Sequence, residues 1–330
     1  MIIRLFKSIQ TPPLFLIPLL SLLAVYMAFR TNTLHLLSDT NHGPLYSLLV
    51  SIPVWQSKWA VFSLVYVVFT SQIYFFNYII NRYEVLYKRS NIPAILFLLL
   101  YVCIPDFLML SPFLILNSLI PVLLYSLFGI YKSERPLAFA FDAGFILSLM
   151  ILFYIPSVLL IPFLFIGIAI LRPFSTREWL ATLAGIVVPI ILMITILILM
   201  DNLKLLYKGY GKENWLPVLK FNTINFKYLI TGAVIAFLLG FSALKLSGNY
   251  YKNIIRTRKF QLCFILLFLF LILIIILPVQ HSVSRFNLLI TPVTLLLSYY
   301  FLTIKKNWWF EFLTFLLIGL IIFNNLKINY

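Results

Sequence analysis

Residues 137–171 form a stretch in which Asp142 is the one charged side chain. As a single α-helix it would be about 52 Å long at 1.5 Å per residue, far more than the roughly 30 Å hydrocarbon layer of a bilayer. Pro156 lies near its middle and disfavours a continuous helix. The stretch therefore predicts two antiparallel membrane helices broken near Pro156.

Comparable runs recur along the whole chain, which is 63% hydrophobic and 10% charged with a mean hydropathy of +1.05. This composition is typical of polytopic membrane proteins and leaves no room for a soluble domain. We expect an all-α transmembrane bundle forming one integral-membrane domain over residues 1–330. Eleven helices are predicted, at residues 12–30, 59–80, 93–110, 112–131, 137–154, 156–171, 179–200, 228–247, 260–278, 286–304 and 309–325.

The formal net charge of +16 would suit nucleic-acid binding, but the basic residues are dispersed among short connections between apolar runs. Most of the 25 Lys and Arg side chains fall in every second connection, a pattern that sets the orientation of a protein in the membrane. The predicted partners are membrane lipids and not nucleic acid. The positive-inside rule predicts a cytoplasmic N-terminus and an outer C-terminus. Residues 201–227 are the exception, since they carry five lysines and fall outside.

The first outer loop, residues 30–58, contains Asp39 and His42, three positions apart. A carboxylate and an imidazole at this spacing could act together in acid–base chemistry. Alternatively, Asp39 caps the apolar segment that follows, because Asp, Asn, Gly and Pro favour turns for backbone reasons.

A second polar cluster precedes the tenth predicted helix and contains His281 and Arg285. His35, His42 and His281 are all predicted on the outer side, where they could bind zinc together with an Asp. Their spacing matches no metal-ligand motif, so interfacial histidines are the alternative, and no metal ligand is assigned.

Charge is costly within a membrane helix, so Asp106 and Asp142, which fall within predicted helices, are functional candidates. Asp106 lies near an outer helix end, where hydration would satisfy it. Asp142 lies deeper, and its role is either functional or structural, through pairing with Arg135 or Lys132.

The outer loop at residues 201–227 combines Lys204, Lys208 and Lys212 with tyrosines and a tryptophan. Such a mixture could hold a lipid phosphate at the bilayer surface, or the loop could simply be solvated.

Small residues predict close helix packing at Gly232, Ala236 and Gly240, and at Ala181 and Gly185. Three polar residues, Gln72, Asn77 and Asn117, are predicted to form interhelical hydrogen bonds. Both cysteines, Cys103 and Cys263, are expected to be buried.

The stretches at residues 141–145, 153–156 and 171–179, reading Phe-Asp-Ala-Gly-Phe, Phe-Tyr-Ile-Pro and Leu-Arg-Pro-Phe-Ser-Thr-Arg-Glu-Trp, are similar to an uncharacterised family of polytopic proteins typical of Bacteroidota. That resemblance implies a location in the bacterial inner membrane and assigns no activity.

Residues 42–46, reading His-Gly-Pro-Leu-Tyr, and residues 285–292, from Arg285 to Pro292, resemble the C-type glycosyltransferase superfamily. The resemblance implies a polyprenyl-phosphate sugar as donor at the outer face. It also implies that Asp39 is catalytic and that the loop at residues 201–227 is functional. The chain departs from the superfamily pattern in its short first loop and in lacking an acidic pair.

Two hypotheses follow. In the first, a lipid-linked glycosyltransferase, Asp39 accepts the acceptor's proton. His42 or Arg285, with His281, Lys204, Lys208 and Lys212, steadies the departing phosphate, and a divalent cation could share that task. In the second, the protein is a non-catalytic scaffold or subunit of an envelope-assembly or secretion complex. A transporter ranks third, since intramembrane charge is sparse and no repeat is visible.

Overall fold

The structure, a computed structural model, describes residues 12–30, 43–202, 226–276, 283–304 and 307–325. These residues form twelve α-helices joined by short connections, and no strand occurs in the described ranges. The helices are α1 Pro12–Arg30, α2 Pro44–Ser51, α3 Lys58–Arg82, α4 Ile92–Val102, α5 Pro112–Gly129, α6 Pro136–Phe153, α7 Leu160–Leu171, α8 Thr176–Leu199, α9 Phe226–Asn249, α10 Ile255–Ile276, α11 Ile290–Thr303 and α12 Asn307–Asn325.

Each of the eleven predicted spans overlaps one of these helices, which confirms the all-α fold class. Seven helices are long and apolar enough to cross a membrane, and four apolar helices are shorter. The structure adds α2 in the connection between α1 and α3. Large apolar side chains of α8, including Leu180 and Ile191, are exposed on the outside of the bundle, as a lipid-facing surface requires. The chain is therefore a multi-pass membrane protein.

Prolines set many of the helix boundaries. Pro112 and Pro136 occupy the first turns of α5 and α6, where a missing backbone N–H costs nothing. The Ser111 hydroxyl accepts a hydrogen bond from the Leu114 backbone N–H at 3.3 Å and caps α5. The predicted break at Pro156 is confirmed, since a 3-10 helix at Ile155–Leu159 separates α6 from α7.

Several connections meet at one end of the bundle, which we call the Asn287 end. Gly43 donates its backbone N–H to the Phe153 carbonyl at 2.8 Å, so α2 begins beside the end of α6. The Tyr46 hydroxyl donates to the Leu110 carbonyl at 2.9 Å. Two 3-10 helices, Pro105–Leu108 and Val283–Leu289, pack against each other at this end.

The remaining described connections meet at the opposite end, which we call the Glu84 end. The Tyr87 hydroxyl donates to the Leu302 carbonyl at 2.6 Å, and the Lys259 ammonium donates to the Leu171 carbonyl at 3.2 Å. Glu84 forms ion pairs with Arg89 and Arg256. Predicted alternate connections thus lie together in space.

Burial raises the pKa of phenols at the Glu84 end, Tyr83 and Tyr87 among them. Tyr83 follows α3, and burial raises its pKa to about 12, with a smaller contribution from Tyr125. The Tyr83 hydroxyl donates to the Tyr125 carbonyl at 3.0 Å, which ties the end of α3 to α5.

Most of the basic residues that the structure describes lie in the connections of the Glu84 end or in the helix turns next to them. They include Lys88, Arg89, Lys132, Arg135, Arg172, Arg177, Lys252, Arg256, Arg258 and Lys259. The Asn287 end has fewer, among them Lys58, Lys227 and Arg285. This asymmetry is the one that orients membrane proteins.

The prediction of close packing at Gly185 is confirmed, and Gly144 joins it. A Cβ on Gly185 would collide with the Phe141 carbonyl oxygen, and one on Gly144 would collide with the Thr182 carbonyl oxygen. The backbones of α6 and α8 therefore approach as closely as small residues allow.

Candidate functional site

An apolar trough runs along α9, between that helix and the helices α10 and α11. It consists of two cavities of about 510 Å³ and 680 Å³ that share Ala236, Leu239 and Phe268 in their walls. The smaller cavity lies toward the Asn287 end and the larger toward the Glu84 end. From Tyr228 to Tyr250 the trough follows α9 for about 33 Å, a full hydrocarbon thickness.

The small-residue stripe of α9 forms the floor of this trough. Gly232, Ala236 and Gly240 line the cavities, and a Cβ built on Gly232 or Gly240 would have no described atom within 4 Å. The prediction that this stripe packs tightly inside the bundle is therefore wrong. The residues are spaced for close approach, but no helix of the described part covers them.

Polar side chains border the trough where it reaches the Asn287 end. Tyr228 lines the smaller cavity, and its phenol interacts with the Asp106 carboxylate. Asp106 lies on the 3-10 helix Pro105–Leu108 and is partly buried. Arg285 lies on the 3-10 helix Val283–Leu289 and is only 4% exposed. Its helix neighbours Val283 and Phe286 line the cavity.

A buried hydrogen-bond network fixes these two 3-10 helices. The Asn287 amide nitrogen donates to the Tyr101 hydroxyl at 2.7 Å and to the Phe107 carbonyl at 3.1 Å. The Asn287 amide oxygen accepts from Asn117 at 3.1 Å, and the Asn117 oxygen accepts from Thr291 at 2.6 Å. Because every amide atom is used, Asp106 and Arg285 are carried on a rigid frame.

The predicted interhelical hydrogen bonds are confirmed. Besides Asn117, Gln72 donates to the Leu114 carbonyl at 2.8 Å, and Asn77 donates to the Asn91 side chain at 3.1 Å. Cys103 and Cys263 are free and buried, as expected.

Asp142 lies apart from this site. It is exposed on α6, about 9 Å along the helix from Pro136 at 1.5 Å per residue. Neither Arg135 nor Lys132 pairs with it, and no other residue in the described ranges forms an ion pair with it.

Six predicted site residues fall outside the described residues. They are Asp39, His42, His281, Lys204, Lys208 and Lys212. All three histidines of the chain are in the undescribed stretches, so the alternatives of a zinc site and of interfacial histidines both stay open. Within the described ranges, no group of three or more His, Cys, Asp or Glu side chains could hold a metal ion.

Sequence reasoning missed Tyr228 and the trough. An interfacial tyrosine is common at a helix end and gives no signal of a carboxylate partner. The stripe itself was visible, but its spacing is the same whether a helix or open space faces it. The partnership of Asp106 with Tyr228 links residues far apart in sequence and had no local signature.

Comparison with known proteins gives no family for this chain: no family model, no curated protein and no solved structure matches it.

Proposed function

We propose that this chain is a multi-pass protein of the bacterial inner membrane that binds a polyprenyl-phosphate-linked sugar and transfers the sugar at the outer face. The observation that carries the proposal is the smaller cavity of the α9 trough, which is apolar and ends at Tyr228, near Asp106 and the 3-10 helix that carries Arg285. A polyprenyl-phosphate donor matches this arrangement, because its isoprenoid tail is apolar and its phosphate head is anionic.

Charge distribution supports the proposed orientation. The Glu84 end carries most of the Lys and Arg side chains in the described connections and would face the cytoplasm. Eleven membrane spans, one for each helix except the short α2, would then place the C-terminus outside. The Asn287 end, with Arg285, would then face outward. Gly43, which follows His42 in the sequence, is anchored at this end through its hydrogen bond to Phe153.

The reaction would displace the lipid phosphate from the sugar. The acceptor oxygen forms a bond to the anomeric carbon while the bond from that carbon to the phosphate oxygen breaks. Asp39 takes the acceptor's proton, and the polyprenyl phosphate leaves carrying the bonding electron pair. Arg285, with His42, His281 and the lysines at positions 204, 208 and 212, would stabilise that anion.

The test is turnover by the purified full chain in detergent, given a radiolabelled polyprenyl-phosphate sugar and an acceptor extract. Gly232→Leu would fill the trough where the added side chain meets no described atom, and we expect at least a tenfold loss of donor binding and turnover. Gly319→Leu is the matched control, because Gly319 on α12 also faces open space but does not line the trough.

Asp39→Asn separates chemistry from binding. Under the proposal it abolishes turnover and leaves donor binding intact. If cells carrying Asp39→Asn keep normal envelope glycans while Gly232→Leu disturbs the envelope, the non-catalytic subunit replaces the enzyme. Equal donor binding by the Gly232→Leu and Gly319→Leu proteins would refute the role of the trough.

A further inference from the structure

The larger cavity of the α9 trough lies toward the Glu84 end, away from the site proposed above. It measures about 680 Å³, within the range of about 300–1,000 Å³ that is usual for small-molecule sites. Its walls are almost entirely apolar, with Ala243, Leu246 and Ile265 among them, and it closes on Tyr250 and Tyr251. Such a volume at membrane depth suits a hydrocarbon chain.

Arg258 places a positive charge near the Glu84 end of this cavity. Arg258 is seven residues before Ile265 on α10, so both lie on the same helix face. The Arg258 guanidinium carbon is 6.0 Å from the centroid of the Tyr250 ring, and Tyr250 lines the cavity. Arg258 is therefore about 10 Å closer to the Glu84 end than Ile265, at the depth where a lipid headgroup would begin.

The neighbouring cations on α10 are already engaged, whereas Arg258 retains a donor. Arg256 pairs with Glu84, and Lys259 donates to the Leu171 carbonyl. The Nε of Arg258 is buried, and it has no hydrogen-bond partner among the residues that the structure describes. A guanidinium is well suited to phosphate because its N–H groups match two phosphate oxygens.

We infer that the Glu84-end cavity binds one anionic phospholipid of the adjacent leaflet, with an acyl chain in the trough and its phosphate on Arg258. Charge complementarity selects the ligand: the surrounding connections carry an excess of Lys and Arg, which attract anionic headgroups. A zwitterionic lipid would fill the cavity equally well but would gain less from this field. The inference uses none of the proposed catalytic residues and stands apart from the glycosyltransferase proposal.

The experiment uses the purified full chain in a zwitterionic detergent. Phosphatidylglycerol or phosphatidylcholine with identical acyl chains is added, and binding is followed by native mass spectrometry and by the unfolding temperature. We expect phosphatidylglycerol to bind about tenfold more tightly, because phosphatidylcholine has the same phosphate but also a choline cation that the surrounding basic residues repel. Phosphatidylglycerol should also raise the unfolding temperature further. Equal binding of the two lipids would overturn the inference.

Three variants locate the site. Arg258→Gln should abolish the preference for phosphatidylglycerol, whereas Arg135→Gln should keep it, because Arg135 is an exposed cation at the same end, just before α6. Gly240→Leu adds a side chain into open space and should weaken binding of both lipids. An Arg258→Gln protein with the full preference, a Gly240→Leu protein with undiminished binding, or a second copy of the chain covering the trough would each contradict the assignment.

Discussion

The amide of Asn287 donates a hydrogen bond to the hydroxyl of Tyr101 at 2.7 Å, although 186 positions separate the two residues. The bond joins the 3-10 helix Val283–Leu289 to α4. Through its second bond, to the Phe107 carbonyl, Asn287 also reaches the 3-10 helix that carries Asp106. One side chain thus holds together the elements that border the trough.

Asn287→Leu should destabilise the protein by at least about 2 kcal/mol, because it leaves buried partners on Tyr101, Phe107 and Asn117 unsatisfied. Thermal unfolding of the detergent-purified protein measures this as a fall of several degrees. Asn325→Ala is the control, since Asn325 is exposed and bonds only within its own helix. Equal unfolding temperatures for the two variants would show that the network contributes little.

Gly185→Ala should cost about 1–3 kcal/mol by overpacking, because the new methyl group would press on the Phe141 carbonyl of α6. Gly240→Ala makes the same chemical change in open space and should be neutral or stabilising, given the higher helix propensity of alanine. Size-exclusion profiles and melting curves of the pair provide the measurement. A destabilised Gly240→Ala protein would mean that a helix does cover the α9 stripe.

The two glutamates of the Glu84 end that form ion pairs should differ in their contributions to stability. Glu178 pairs with Arg172 at 3.2 Å and its side chain is 4% exposed, whereas the Glu84 side chain is 42% exposed. We expect Glu178→Ala to cost about 3 kcal/mol, because it leaves Arg172 unpaired in a partly buried position.

Glu84→Gln, by contrast, should cost less than about 1 kcal/mol, since solvent screens its ion pairs with Arg89 and Arg256. Unfolding at low and at high salt separates the two cases, because only the exposed pairs should weaken with salt. Comparable losses for the two variants would contradict this ranking.

Labelling should reveal the orientation of the bundle. In a Cys103→Ala, Cys263→Ala background, a membrane-impermeant maleimide added to intact cells should modify Lys58→Cys at the Asn287 end and spare Lys88→Cys at the Glu84 end. Both target positions are exposed. In inverted vesicles the pattern should reverse. Labelling of Lys88→Cys from outside would reverse the proposed topology.

The sequence was sufficient to place eleven of the twelve described helices, all except the short α2. Uncharged runs and prolines such as Pro112 and Pro156 are local features of the sequence. Because the bilayer has a limited thickness, the length of an uncharged run predicts a membrane span, and a proline within a longer run predicts where the helix breaks. For the same reason Asp106 and Arg285 could be singled out as polar residues near the membrane. Gly185 was also predicted correctly, because its small size matters wherever another helix approaches.

Only the tertiary structure decided what those residues meet. The Gly232, Ala236 and Gly240 stripe has the spacing of a packing face, yet it lines a trough, because the rotation of α9 and the positions of α10 and α11 depend on contacts distant in sequence. The same holds for Tyr228 beside Asp106 and for Asn287 beside Tyr101. Burial in lipid is determined residue by residue along the chain, whereas hydrogen bonds and cavities between helices depend on how whole helices are arranged.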